Sequence, residues 1–113
     1  MKILIIGGAG YLGIPLSNSL IDYDVTVYDK FLYSNITFLN NNIKVINDDV
    51  CNIGNYSDLV NSMDLIVYLA SPRLLDLTDE IQLIEPIKEF RNTINLINNE
   101  NTRLIFSSSC SVY

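Results

Sequence analysis

The stretch Met1-Lys2-Ile3-Leu4-Ile5-Ile6-Gly7-Gly8-Ala9-Gly10-Tyr11-Leu12-Gly13 decides how the rest of this chain is read. Lys2–Ile6 is an apolar run, as expected of a strand buried on both faces. Glycines then recur at positions 7, 10 and 13. Gly7 lets the chain turn sharply off the strand, Gly10 lets the backbone approach a ligand's pyrophosphate, and Gly13 permits close helix–sheet packing. A helix is expected over residues 11–21, with Pro15 near its start where a missing N–H is tolerated. Its first turn would offer free N–H groups and the positive end of a dipole to phosphates. Taken alone, the glycine triplet also suits a tight turn that holds nothing.

Outward from this stretch, apolar and polar segments alternate without a repeat or a linker. Strands are expected at residues 25–28, 43–46, 65–69 and 103–106. Residues 31–42 read as irregular with one helical turn. A short helix is expected at 56–62, capped by Asn55 or Ser57. A longer one is expected at 79–98, with apolar residues at Ile81, Ile84, Ile87, Phe90, Ile94 and Ile97 and a kink or division at Pro86. Strands alternating with helices imply right-handed crossovers and a parallel sheet. The expectation is an α/β, doubly wound sheet of about five strands in the order 3-2-1-4-5, with a ligand crevice at the strands' carboxyl ends where the order reverses.

The chain has 113 residues, enough for one domain, and 49% of them are hydrophobic. Its 7 basic and 13 acidic residues leave a net charge of −6. That opposes nucleic acid or an anionic membrane as the main partner, because no basic field exists to release counterions. There is no histidine, and Cys51 and Cys110 have no metal-ligand spacing. Both read as small, partly buried residues of a reducing compartment. No apolar run approaches the length of a membrane span and no signal peptide is evident, so a cytoplasmic protein is expected.

Four further positions carry chemistry. Asp29 ends the second strand, 19 residues after Gly10. A carboxylate there accepts from the adenosine ribose and repels the extra phosphate of NADP, so NAD is preferred. Lys30 follows it and blurs that preference. Asp49, after the third strand, can accept from the adenine amino group, although Asp48-Asp49 also suits a turn or a helix cap. The small residues of Leu69-Ala70-Ser71 leave room for a cofactor over the sheet. In Ser107-Ser108-Ser109-Cys110-Ser111-Val112-Tyr113 hydroxyls gather at a strand's carboxyl end, where a serine can bond a substrate oxygen while a proton moves.

Together these residues resemble the extended short-chain dehydrogenase/reductase family, the NAD-dependent epimerases and dehydratases of nucleotide sugars. Gly7–Gly13 is similar to its Gly-x-x-Gly-x-x-Gly fingerprint, Asp29 to its ribose-binding acid and Asp49-Val50 to its Asp-Ile/Val adenine motif. Asp64-Leu-Ile-Val-Tyr-Leu-Ala-Ser71 is similar to its Asp-x-Val-x-His-Leu-Ala-Ala strand, with Tyr68 in place of His. Ser107–Tyr113 is similar to its Ser-Ser-Ser-x-x-Val-Tyr motif. The family's Asn-x-x-Gly-Thr helix motif is poorly kept in Phe90–Leu96.

The resemblance implies a Rossmann-type NAD-binding domain over residues 1–113. Cofactor contacts would come from Gly7, Gly10, Tyr11, Leu12, Gly13, Asp29, Lys30, Asp49, Val50, Leu69, Ala70 and Ser71, and Ser109 would stand as the catalytic serine. It implies a nucleotide sugar or related small molecule as partner, and homodimers, which members often form. The family's Tyr-x-x-x-Lys base does not occur before Tyr113. The chain is therefore expected to be the inactive first part of a longer enzyme, truncated before the remaining strands and the substrate domain. A non-catalytic dinucleotide sensor and one half of a split enzyme stay open as alternatives.

Overall fold

The structure is a computed structural model that describes residues 1–31, 36–70 and 79–107. Five strands form one parallel sheet in the order β3-β2-β1-β4-β5. They are β1 (Lys2–Ile6), β2 (Asp24–Asp29), β3 (Lys44–Asn47), β4 (Leu65–Tyr68) and β5 (Arg103–Phe106). The helices are α1 (Gly13–Ser19), α2 (Ser57–Asn61) and α3 (Asp79–Leu96). Short 3₁₀ segments cover Ile36–Phe38 and Val50–Tyr56.

The all-apolar strands sit where both sheet faces are covered. In β1 the side chains of Leu4 and Ile6 enter one core with Tyr28, Ile53, Val60, Met63, Ile66 and Tyr68. Those of Ile3 and Ile5 enter another with Val25, Val27, Leu39, Ile43 and Val67. Alternate residues of a strand point to opposite faces, so a strand between two cores must be apolar at every position. The outer strands differ: in β5, Ile105 is 53% and Phe106 50% exposed.

The strand expectations hold to within a residue at each end, and β5 matches in full. The helices need correction. α1 is seven residues long, not eleven: Tyr11 and Leu12 belong to the glycine turn, where Gly10 N–H donates to the Gly7 carbonyl at 3.3 Å and Ile14 N–H to that of Gly10 at 3.1 Å, and at the other end Leu20 caps the helix, its N–H donating to the Ser17 carbonyl at 3.2 Å. Pro15 does lie in its first turn. The segment before α2 is also wound, as the Val50–Tyr56 3₁₀ helix, and Asp49 caps that helix; neither Asn55 nor Ser57 caps α2.

α3 runs through Pro86 undivided. A proline removes one N–H and crowds one carbonyl, and packing of Phe90, Leu96 and Ile97 on the first core holds the turns that follow. The apolar stripe expected on α3 packs in part: Phe90 and Ile97 rest on the first core. Ile84, Ile87 and Ile94 are exposed, whereas Thr93 is fully buried, its hydroxyl donating to the Glu89 carbonyl at 3.0 Å. Cys51 is exposed rather than partly buried, and Cys110 lies outside the described residues.

Candidate functional site

All described residues singled out as cofactor contacts lie at one edge of the sheet, where β1, β2, β3 and β4 end. The turn after β1 is the centre of it. Gly7 has φ +84°, a left-handed backbone that side chains other than glycine rarely adopt. A Cβ on Gly7 would also stand 2.6 Å from the Ala70 nitrogen, so the turn after β1 is packed against the chain leaving β4. Gly13 is closed for another reason: a Cβ there would meet the Gly7 carbonyl oxygen and the Gly8 backbone at 2.5 Å. Its hydrogen lets α1 seat on the turn itself rather than on the sheet.

Gly10 is different. A Cβ there would meet only the Gly7 carbonyl oxygen, at an ordinary 3.5 Å. Nothing among the described residues requires a glycine at this position, so the open space it leaves belongs to the outer side of the turn. Tyr11 and Leu12 follow it, 96% and 62% exposed. α1 is less than two turns long and follows directly on the turn, with a carboxylate beside it.

That carboxylate is Asp29, at the end of β2. Its Oδ2 accepts from the Ala9 N–H at 3.0 Å and its Oδ1 from the Phe31 N–H at 2.8 Å. Gly7 N–H donates to the Tyr28 carbonyl at 2.8 Å, so the turn is tied to β2 twice. The second contact of Asp29 folds the chain back on itself at Phe31, which has φ +54° and costs on the order of 1 kcal/mol of strain. Each carboxylate oxygen keeps a lone pair for a further donor.

The second carboxylate is Asp49, just beyond β3. It serves as a cap and also faces Lys30: Oδ1 accepts from the Cys51 N–H at 3.1 Å, and Oδ2 lies 3.6 Å from Lys30 Nζ. The hydrogen bond from the Cys51 amide lowers its pKa against partial burial, and Lys30 adds to the lowering. Behind it, the Tyr28 hydroxyl donates to the Asp49 carbonyl at 2.6 Å. The rings of Tyr28 and Tyr56 meet edge to face at 5.3 Å, and the Tyr56 hydroxyl donates to Asp48 Oδ2 at 2.8 Å. Hydrogen bonds from Asn52, Tyr56 and the Asp49 amide hold the Asp48 carboxyl below its ordinary value. Burial pushes the Tyr28 phenol well above its own. Val50 packs half-buried on the first core.

Leu69 and Ala70 leave β4 half-buried, with Leu69 N–H donating to the Ile6 carbonyl at 2.7 Å. Ser71 and Ser109 lie outside the described residues. The sequence reading gave no role to Gly8, Ala9, Tyr28 or Tyr56. The first was legible, as a fourth glycine beside Gly7: a Cβ there would strike both Val27 methyls at 2.8 Å. Nothing in the pattern marks the two tyrosines. Among the described residues no group of three or more potential ligands could hold a metal ion, and no helix is long and apolar enough to cross a membrane.

The family model for the NAD dependent epimerase/dehydratase family matches residues 3–113. No curated protein matches the chain. Among solved structures, a UDP-galactose 4-epimerase superposes with a TM-score of 0.76 at 21% identity, over 100% of this chain and 40% of its own. The NAD-dependent NDP-hexosamine 5,6-dehydratase TunA, involved in tunicamycin biosynthesis, gives 0.77 at 22%, over 100% and 38%. The Bordetella bronchiseptica enzyme WbmG, in complex with NAD, gives 0.72 at 22%, over 94% and 36%. The chain thus spans about two fifths of the length of the structures it resembles.

Proposed function

The chain belongs to the NAD dependent epimerase/dehydratase family, and from that premise we propose that it is the NAD-binding part of a nucleotide-sugar epimerase or dehydratase. The observation that carries this reading is the glycine turn: it is closed inward at Gly7 and Gly13, open outward at Gly10, and bonded through Ala9 to a carboxylate at the end of β2. That arrangement fits a dinucleotide. A bound dinucleotide would supply a nicotinamide ring that takes and returns a hydride.

The chain's own residues bind and orient. Gly10 leaves the backbone open to a pyrophosphate, with Tyr11 and Leu12 flanking it. Asp29 accepts ribose hydroxyls on the lone pairs that Ala9 and Phe31 leave free, and it repels a 2′-phosphate, which favours NAD over NADP. Asp49 accepts from the adenine amino group beside Val50 and Lys30. Leu69 and Ala70 form the bed over which the cofactor crosses the sheet, and a contact from Ser71 rests on the resemblance of its motif. Ser109 holds a reacting oxygen of the sugar, a role that rests on the resemblance of its motif. The names of the structural neighbours, a UDP-galactose 4-epimerase and an NDP-hexosamine 5,6-dehydratase, support a nucleotide sugar as the substrate class. A cytoplasmic location, where nucleotide sugars and reduced thiols coexist, belongs to the same reading.

Calorimetric titration with NAD and with NADP, beside a Gly10→Val variant, tests it. The expected result is binding of NAD in preference to NADP, lost in Gly10→Val while the thermal transition is kept. A folded chain that takes up neither dinucleotide would overturn the reading.

A further inference from the structure

We propose that the Lys30–Asp49 ion pair governs the choice between NAD and NADP: Asp49 holds the Lys30 ammonium at the end of β3, away from the ribose 2′ position beside Asp29. The inference rests on the cofactor reading above and extends it from binding to discrimination.

Two opposed charges are adjacent at the end of β2. A carboxylate at this place in the fold accepts ribose hydroxyls, and a cation near it accommodates a 2′-phosphate. This chain has the carboxylate at Asp29 and an ammonium one residue later, at Lys30. The structure shows how the second is restrained. Asp48 N–H donates to the Asp29 carbonyl at 3.1 Å, so the chain leaving β3 runs beside the end of β2. Lys30 Nζ turns toward that chain and lies 3.6 Å from Asp49 Oδ2.

The two partners differ in freedom. Asp49 is fixed, with one oxygen on the Cys51 amide and its own carbonyl held by the buried Tyr28. Lys30 carries its charge on a flexible four-carbon stem. The side chains are 52% and 38% exposed, so the pair is weak and salt-sensitive. A doubly charged phosphate at the ribose can therefore compete for Lys30, and removal of the Asp49 charge takes away the acceptor that holds the ammonium at the end of β3.

The test is binding of NADH and NADPH, followed by their fluorescence, to the wild-type chain and to Asp49→Asn, Lys30→Met and the double variant. Asn retains an acceptor for the Cys51 amide, so the cap survives. The adenine contact is common to both dinucleotides and drops out of their affinity ratio. Asp49→Asn should lower the NADH/NADPH ratio by roughly two- to fivefold, the range of one exposed ion pair. The double variant should return to the ratio of Lys30→Met, and the effect should fade at high salt. A ratio unmoved in a folded Asp49→Asn, or a shift that persists without Lys30, overturns the inference while the cofactor reading stands. Failure of the wild type to bind either dinucleotide overturns both.

Discussion

The Ala9 N–H and Asp29 Oδ2 lie 3.0 Å apart across twenty residues of sequence, and their bond fixes the glycine turn to the end of the adjoining strand. One carboxylate thereby shapes the turn and presents itself to whatever the turn receives. Asp29→Asn keeps the size but offers one acceptor where two amides need one each, Ala9 on Oδ2 and Phe31 on Oδ1. An amide left without a partner in this half-buried place costs about 1–3 kcal/mol. Asp24, at the opposite end of β2, makes an exposed pair with Lys44 at 3.1 Å, and Asp24→Asn should cost less than about 1 kcal/mol. Urea unfolding of the two variants checks the contrast; equal effects would show that the Ala9 bond contributes nothing.

The glycines of the turn should separate stability from binding. Gly7→Ala forces a side chain into φ +84° and against Ala70, and Gly13→Ala drives one into the Gly7 and Gly8 backbone at 2.5 Å. Each should lose several kcal/mol, at or beyond the ~3 kcal/mol associated with strained backbone and overpacking. Gly10→Ala meets only an ordinary contact and should melt within a few degrees of the wild type while losing affinity for NAD. Thermal unfolding and titration of the three variants decide it. A Gly10→Ala chain that binds as the wild type does would place the pyrophosphate elsewhere.

The parts of this architecture that read directly from sequence are those where one physical cause acts alone. The interiors of β1 and β4 are apolar because they lie between two cores, and a run of such residues between turn signals has few other uses. Asp29 is legible because a carboxylate at a strand end, a fixed distance after a glycine turn, is a local pattern. α3 misleads because two causes overlap on it. Its isoleucines at 84, 87 and 94 follow a helical period but stay at the surface, while the buried position is Thr93, whose hydroxyl is satisfied within the helix itself. Asn61 is a further case. Its side chain accepts from the Asn98 and Asn99 amides at 2.7 and 3.1 Å and donates to the Leu96 carbonyl at 3.1 Å, closing the end of α3. In a sequence as rich in asparagine as this one, nothing distinguishes it. Asp49 allowed two readings, cap and ligand acceptor; the cap is formed, on the Cys51 amide, and does not exhaust the carboxylate.

Alkaline pH should destabilise the fold through its tyrosines. Burial raises the phenol of Tyr68 to about 12 and that of Tyr28 further, and the bond to Asp48 raises Tyr56. A phenol with a higher pKa folded than unfolded favours the native state while it is protonated. That contribution is complete below the unfolded value of 10.0 and is lost as pH rises toward the folded one. The melting temperature should stay level from about pH 7 to about pH 9 on this account and fall beyond about pH 10. Tyr28→Phe removes the hydrogen bond to the Asp49 carbonyl, so it should melt lower at neutral pH yet decline less steeply in alkali. A decline as steep as the wild type's would assign the alkaline loss to other groups.

The last expectation concerns the outer side of the sheet. β5 stands at the end of the strand order, and its Ile105 and Phe106 are about half exposed; on α3, Ile84 and Ile87 are 61% and 58% exposed. A parallel strand whose outer edge has no partner strand among the described residues, and which carries apolar side chains, is a template for pairing with another chain, and large exposed apolar side chains add to the drive. The 113-residue chain should therefore self-associate in a concentration-dependent way, as read by size-exclusion chromatography with light scattering. Ile105→Lys places a charge on the edge strand and should shift the population toward monomer. The buried cores take no part in this contact, so the variant should keep its melting temperature within about 2 °C when compared at a concentration where both are monomeric. A wild-type chain that stays monodisperse and monomeric at high concentration, with a cooperative thermal transition, would show that this edge is adequately protected as it stands.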